Sequence, residues 1–322
     1  MRSRARLIVT FLTAGALALA LLAAGCADEP ISAPQKLGGE TRSAETLSLG
    51  QELYLRNCAS CHGEHGDGAG PAAAGMKPAP RDFRTGVFKF AGAPDQYLPH
   101  DDELIRIVKG GLTGTPMRAW DLTEDEISAI IQYIKTFSPP GEAFRDPDRE
   151  VFEPEVPPDP YEGRIEEAVT EGEELYHTAL QCNQCHPTYV SPERYEEWEF
   201  PLPRTDAPYR PAPRYSPAYD EVLLPDDFLR HPLRSVQADD DGALRAADLY
   251  RVIAYGLQGP MPGFAHLGDE SMWAIAHYVR SIAEMRGTAE GDALLRDLEA
   301  WGREVREAGA PSPGEDGEDQ AP

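Results

Sequence analysis

Basic residues are scarce in this 322-residue chain, where 30 Lys and Arg face 55 Asp and Glu for a net charge of −25. An acidic surface of that strength repels nucleic acid and favours partners with basic docking patches, with association that slows as salt rises. Cysteine is scarce too, at five residues, and four of the five fall in two short runs, so no disulfide framework is available. No Gly-rich phosphate loop and no nucleophile–base pairing stands out, and no small-molecule substrate is expected. The patterning is helical, and strands should be few.

The two cysteine runs are Cys58-Ala59-Ser60-Cys61-His62 and Cys182-Asn183-Gln184-Cys185-His186. Cys-x-x-Cys-His is the attachment pattern of a c-type haem: two thiols three positions apart add to the two vinyl groups of one porphyrin, and the adjacent imidazole is placed beneath the ring to ligate iron. Two covalently bound haem c groups are therefore expected, held by Cys58, Cys61, Cys182 and Cys185, with His62 and His186 as iron ligands. Two Cys-x-x-Cys pairs could instead assemble a four-cysteine zinc site. The histidine directly after each pair, and the place of each pair inside its own longer repeat, argue against it. A thioredoxin-like motif would lack the histidine and follow a strand.

The fifth cysteine, Cys26, closes a segment with Arg2, Arg4 and Arg6, an apolar run from Leu7 to Ala24 and the small-residue boundary Leu22-Ala23-Ala24-Gly25. That pattern reads as a secretory signal. It resembles the lipobox of bacterial lipoproteins, which implies cleavage before Cys26 and a lipid on its thiol, although Ala23 stands where that family usually has Leu. The alternatives are an uncleaved membrane helix, which about 18 apolar residues could just permit, or ordinary cleavage leaving a free thiol. Lipidation implies an exported protein anchored to a bacterial membrane and facing the periplasm or the cell exterior. Without the signal arginines the chain carries 27 basic residues against 55 acidic, a net of −28.

Pro-rich and acidic stretches divide the remainder. The expected organisation is a signal peptide at 1–25, a tether at 26–45, a domain at 46–138, a linker at 139–164, a second domain at 165–286 with a Pro/Tyr-rich insertion at 187–234, and a short helix with an acidic, disordered tail at 287–322. The two domains repeat one pattern. Gly50-Gln51-Glu52-Leu53-Tyr54 precedes the first cysteine run, and Gly172-Glu173-Glu174-Leu175-Tyr176 the second. Helical stretches around 102–108 and 248–253 then lead into Gly-Leu loops ending Pro116-Met117 and Pro260-Met261. Closing helices follow, with apolar faces at Ile127, Ile130, Ile131 and Ile134, and at Met272, Ile275, Ala276 and Val279. Thr123 with Glu126 makes a capping box.

Each half, over about residues 45–138 and 165–286, resembles a class I cytochrome c domain. The resemblance implies an all-α fold of two tandem cytochrome c domains joined by a Pro/acid-rich linker. It also implies close packing of Gly50 on Tyr133 and of Gly172 on Tyr278, and a hydrogen bond from His62 to the Pro71 carbonyl. Met117 and Met261 are the expected distal ligands, soft neutral thioethers in Gly/Pro loops where a packing residue has little to pack against. Met76, His65 and His100 compete in the first half, and His231 and His266 in the second. Met272 and Met285 read as core filling, and His177 and His277 as structural.

The halves differ in two places. Three residues separate Tyr54 from Cys58 but five separate Tyr176 from Cys182, and the 187–234 insertion replaces the Gly-rich loop of the first half. That insertion either shields the second haem or forms a surface excursion. The expected function is single-electron transfer between redox proteins outside the cytoplasm, as a carrier or as the cytochrome subunit of a larger oxidoreductase. The run from Pro80-Arg81-Asp82-Phe83 to Thr115-Pro116-Met117 resembles cytochrome modules of that second kind. A dihaem peroxidase-type enzyme with one open haem site is the alternative. A thiosulfate-oxidising enzyme with a cysteine axial ligand fits poorly, because no cysteine is spare.

Overall fold

The computed structural model describes residues 31–202, 208–217, 219, 221–259 and 261–308. Cys26, the segment 1–25 and the acidic tail beyond 308 lie outside the described residues, as does Pro260. Among the described residues no helix is long and apolar enough to cross a membrane.

The first half begins with a small hairpin, β1 (Gln35–Leu37) and β2 (Glu40–Arg42). Helix α1 (Ala44–Asn57) follows, its start fixed by the Ser43 hydroxyl, which accepts from the Thr46 N–H. The short helix α2 (Ala59–His62) carries the first haem-type run. After a long loop come β3 (Leu98–Pro99) and α3 (Asp101–Gly110), whose first turn holds Asp101, Asp102 and Glu103, the charge a helix N-terminus favours. Helix α4 (Glu124–Lys135) starts on the expected capping box of Thr123 and Glu126. The strand β4 (Val151–Phe152) pairs with β3 in parallel.

The second half repeats the helical order with α5 (Ile165–His177), an extra helix α6 (Pro192–Glu197), the hairpin β5 (Arg214–Ser216) and β6 (Glu221–Leu223), then α7 (Ala246–Tyr255) and α8 (Asp269–Glu284). Among the described residues helix is the main regular structure, and the strands are ladders of two or three residue pairs. Helix α9 (Ala289–Glu307) is longer than the short helix expected there. It buries Leu298 and sets the Trp301 ring 5.9 Å from Tyr209.

Buried apolar side chains gather in two clusters, one drawn from α1, α3 and α4, the other from α5, α7, α8 and the 187–236 region. In each, the first helix crosses the helix that follows the methionine loop: α1 packs on α4 and α5 on α8. A Cβ on Gly50 would overlap the Ala129 carbonyl and crowd Tyr133, and one on Gly172 would do the same to Ala274 and Tyr278. Only glycine lets the two backbones approach this closely. An inclined tyrosine pair behind each crossing is also repeated, with Tyr54 and Tyr133 rings 5.4 Å apart and Tyr176 and Tyr278 rings 5.4 Å apart.

The stretch expected as a linker is packed rather than free. Phe144 is 1% exposed in the first cluster and Tyr161 is 0% exposed in the second. Likewise Leu37, in the stretch expected as a tether, is fully buried, and the Gly38 N–H donates to the Phe144 carbonyl at 2.7 Å. These few large side chains suffice to pin segments that are otherwise polar.

Candidate haem sites

In the first half Cys58, Cys61, His62 and Met117 line one cavity of about 270 Å³. Its walls are apolar: Phe83 and Phe88 on the loop, Leu104, Ile107 and Val108 from α3, and Ile130, Ile131 and Ile134 from α4. Met76, the competing thioether, also lines it. The competing histidines lie elsewhere. His65 is exposed, and His100 caps α3 by accepting from the Asp102 N–H.

Helix geometry presents the histidine. The Cys58 N–H continues the α1 ladder to the Tyr54 carbonyl at 2.8 Å, and the His62 N–H donates to the Cys58 carbonyl at 3.0 Å. The thiols and the imidazole thus share one turn. The Tyr54 hydroxyl donates to the Gly63 carbonyl at 2.7 Å, locking the residue after His62. On the imidazole, Nδ1 faces the Arg81 carbonyl at 3.1 Å. A carbonyl only accepts, so Nδ1 carries the proton and Nε2 keeps its lone pair for a metal. Burial holds the His62 pKa below its ordinary value, which keeps the ring neutral. Phe83 stacks on that ring at 4.4 Å.

The acceptor is not Pro71, and this corrects the expectation. Pro71 is exposed. The Gly70 and Ala72 N–H groups fold their loop back onto the Cys61 and Ser60 carbonyls. The chain returns to the imidazole only at Arg81.

The second half repeats these settings residue by residue. The Tyr176 hydroxyl donates to the Pro187 carbonyl at 3.0 Å, again the residue after the histidine of the run. The two extra residues before Cys182 are absorbed where α5 ends at His177 and Gln181 adopts a left-handed conformation (φ 51°, ψ 41°). His186 Nδ1 faces the Asp226 carbonyl at 2.9 Å, the Phe228 ring lies 4.9 Å from the imidazole, and burial lowers its pKa.

The methionine loops match as well. Gly111 (φ 70°, ψ −171°) and Gly256 (φ 76°, ψ −172°) end α3 and α7. A Cβ at either would strike the backbone of its own loop. The Leu112 N–H then donates to the Met117 carbonyl at 2.8 Å and the Leu257 N–H to the Met261 carbonyl at 3.0 Å. Both methionines are half-buried. His231 and His266 are exposed, whereas His177 and His277 are buried and hydrogen-bonded within the second cluster. Met272 is fully buried, as core filling requires.

The residues that sequence reasoning missed are the two imidazole acceptors and the rings beside them: Arg81 with Phe83, and Asp226 with Phe228. A signal was present. Pro80-Arg81-Asp82-Phe83 and Pro225-Asp226-Asp227-Phe228 share a Pro-x-Asp-Phe pattern. In both, the aspartate Oδ1 accepts from the backbone N–H two residues on, at 2.9 Å from Arg84 and 3.1 Å from Leu229. This Asx turn aims the preceding carbonyl and the following ring together at the histidine. The 187–234 insertion therefore contains the counterpart of 80–83.

The first cavity fits a haem by its chemistry. Two thiols and an imidazole lie at one side, a thioether is available, and the walls are apolar. The charged residues lining it are Arg81, Lys89, Arg118 and Arg234, with no Asp or Glu among the described lining residues. In so acidic a chain this selects for the carboxylates of a porphyrin. Burial pushes the Cys58 and Cys182 thiols up to about 12. Among the described residues no group of three or more His, Cys, Asp or Glu side chains could hold a metal ion.

Comparison with known proteins agrees with this chemistry. Residues 47–138 match the family model for cytochrome c. The chain is similar to a solved chain of the Kuenenia stuttgartiensis reducing HAO-like protein complex Kustc0457/Kustc0458, at 28% identity and a TM-score of 0.55, covering 72% of this chain and 94% of that chain. No curated protein matches. Both likenesses support a c-type cytochrome with covalently bound haem and a role in haem-based electron transfer.

Proposed function

We propose that the protein is a dihaem cytochrome c that passes single electrons between redox proteins outside the cytoplasm, tethered to the membrane by a lipid on Cys26. The observation that carries the second haem is the repetition, in the second half, of the histidine's carbonyl acceptor, ring neighbour and tyrosine lock, together with the methionine loop. Cys58 and Cys61, and Cys182 and Cys185, would hold the two porphyrins, with His62 and Met117, and His186 and Met261, as the residues that would ligate iron. Bound haem supplies reversible one-electron exchange at iron. The protein's part is to fix the imidazole tautomer through Arg81 and Asp226, to exclude water with apolar walls, and to present a thioether.

The partner is read as a larger oxidoreductase with a basic docking patch. The net charge supports this, as do the exposed Glu166, Glu167, Glu171 and Glu174 on α5. The likeness to a chain from a complex with two named components points the same way.

The test is a haem count per chain and oxidised and reduced absorption spectra of the soluble protein, with Met117, Met261 and Met76 replaced by Leu one at a time. Two haems per chain, low-spin ferric iron, and loss of about half of the methionine-to-iron band with each of the first two substitutions but not the third are expected. A single haem would remove the second site. High-spin iron in the unaltered protein would instead indicate an open coordination position and a peroxidase-type enzyme.

A further inference from the structure

The two methionine loops do not stand on their own halves alone. In the loop at 111–117, the Thr113 N–H donates to the Arg234 carbonyl at 2.9 Å, and the Gln237 side chain donates to the Gly111 carbonyl at 3.4 Å. Gly114 lies so close to Pro232 that a Cβ would collide with the ring. All three partners belong to the second half. The loop at 256–261 makes the reverse contacts. Gln258, 3% exposed, accepts from the Phe88 N–H at 2.7 Å and donates to the Tyr97 carbonyl at 3.0 Å. The Gly259 N–H donates to Asp95 Oδ1 at 3.0 Å, across 164 positions of sequence. Tyr219, Leu223 and Arg234 of the second half complete the wall of the first cavity, and the Arg81 guanidinium lies 4.3 Å from the centre of the Tyr219 ring.

We propose that each methionine loop is clamped by the opposite half, so that thioether ligation at each iron is set by contacts that the other half supplies. The inference rests on the two-haem reading. A thioether is a weak iron ligand, and it stays bound only while its loop is held in place. Here the holding groups are the 232–237 segment for Met117, and Asp95 with the 88–97 backbone for Met261. Asp95 is the informative residue. It is exposed, it belongs to the first half, and its carboxylate accepts from the neighbouring loop's backbone.

The experiment uses the full haem-loaded chain in a Met117→His background, where the remaining methionine band reports on Met261 alone. Imidazole is titrated against that band with Asp95 intact, with Asp95→Ala and with Asp95→Asn. Asp95→Ala is expected to ease displacement of Met261 by about tenfold, the worth of one exposed hydrogen bond to a charged acceptor. Asp95→Asn, which keeps an oxygen acceptor, should stay within about twofold of the parent. A band halved by Met117→His but displaced equally easily in all three proteins overturns the clamp and leaves the ligand assignment standing. A band that Met117→His does not diminish overturns the ligand assignment, and the clamp with it.

Discussion

His177 makes the stability of this protein depend on pH by an amount the structure allows to be worked out. Its side chain is 0% exposed, stacked against Trp198 at 5.6 Å and ringed by Tyr176, Tyr195 and Tyr278. Nδ1 donates to the Glu173 carbonyl at 2.7 Å, and Nε2 accepts from the Tyr189 N–H at 3.3 Å. The neutral ring satisfies both contacts. A proton added at Nε2 would face another donor inside an apolar cluster. Burial therefore lowers the pKa from 6.5 to about 4. Between those values the unfolded chain binds a proton that the native protein does not, so stability is full above about pH 6.5 and is lost as the pH falls toward 4. At 1.36 kcal/mol per unit the loss on reaching pH 4 is about 3 kcal/mol. The assay is urea unfolding of the haem-loaded protein and of His177→Gln, followed by far-UV circular dichroism at pH 7 and pH 4. Carboxylates titrate in both proteins, so the difference between them isolates the histidine. The variant should be the less stable at pH 7, and the gap should close by about 3 kcal/mol at pH 4. A gap that stays constant to within about 0.5 kcal/mol would refute the reasoning, since a buried neutral imidazole cannot be indifferent to acid.

What could be read in advance was whatever chemistry ties to spacing along the chain. Cys-x-x-Cys-His is rigid in sequence because one porphyrin must be reached by two thiols and one imidazole from a single turn. The helix-crossing glycines were legible through the resemblance to class I cytochrome c domains, whose first-helix glycine Gly50 and Gly172 match in the two copies. The imidazole acceptors were not, because a carbonyl has no side-chain signature. Their Pro-x-Asp-Phe frame falls 19 residues after the histidine in one half and 40 after it in the other. Assigning the acceptor to Pro71 followed a resemblance where the chain takes a different route. The packed state of 139–164 escaped composition for a related reason. Two aromatic side chains, Phe144 and Tyr161, anchor it, and averages over a Pro-rich acidic stretch conceal them. The contacts of the 256–261 loop join positions more than 160 residues apart, each between a backbone group and a side chain, which no periodicity reports.

Two further predictions concern packing within and between the halves. Gly50→Ala and Gly172→Ala should each destabilise by about 1–3 kcal/mol in urea unfolding, although alanine is the better helix former, because the added carbon meets the backbone of the crossing helix. Equal or greater stability in either variant would remove the close crossing as the reason for glycine. The other prediction rests on an ion-pair network where α3 meets α7. Glu103 and Arg106 on α3 stand at the same helical spacing as Asp248 and Arg251 on α7. Glu103 pairs with Arg106 at 2.9 Å and with Arg251 at 3.2 Å, while Asp248 pairs with Arg251 at 3.0 Å and with Arg106 at 3.8 Å. The carboxylates are 6% and 3% exposed and the arginines 18% and 24%. A lone surface pair would contribute little. Here four charges of net zero share one interface, and removing one leaves its partners over-charged in a largely dry setting. A double-mutant cycle on Glu103→Gln and Arg251→Gln should show a coupling of about 1–2 kcal/mol, reduced from the fully buried case by the arginines' exposure. A coupling near zero would mean that the pair only fills space.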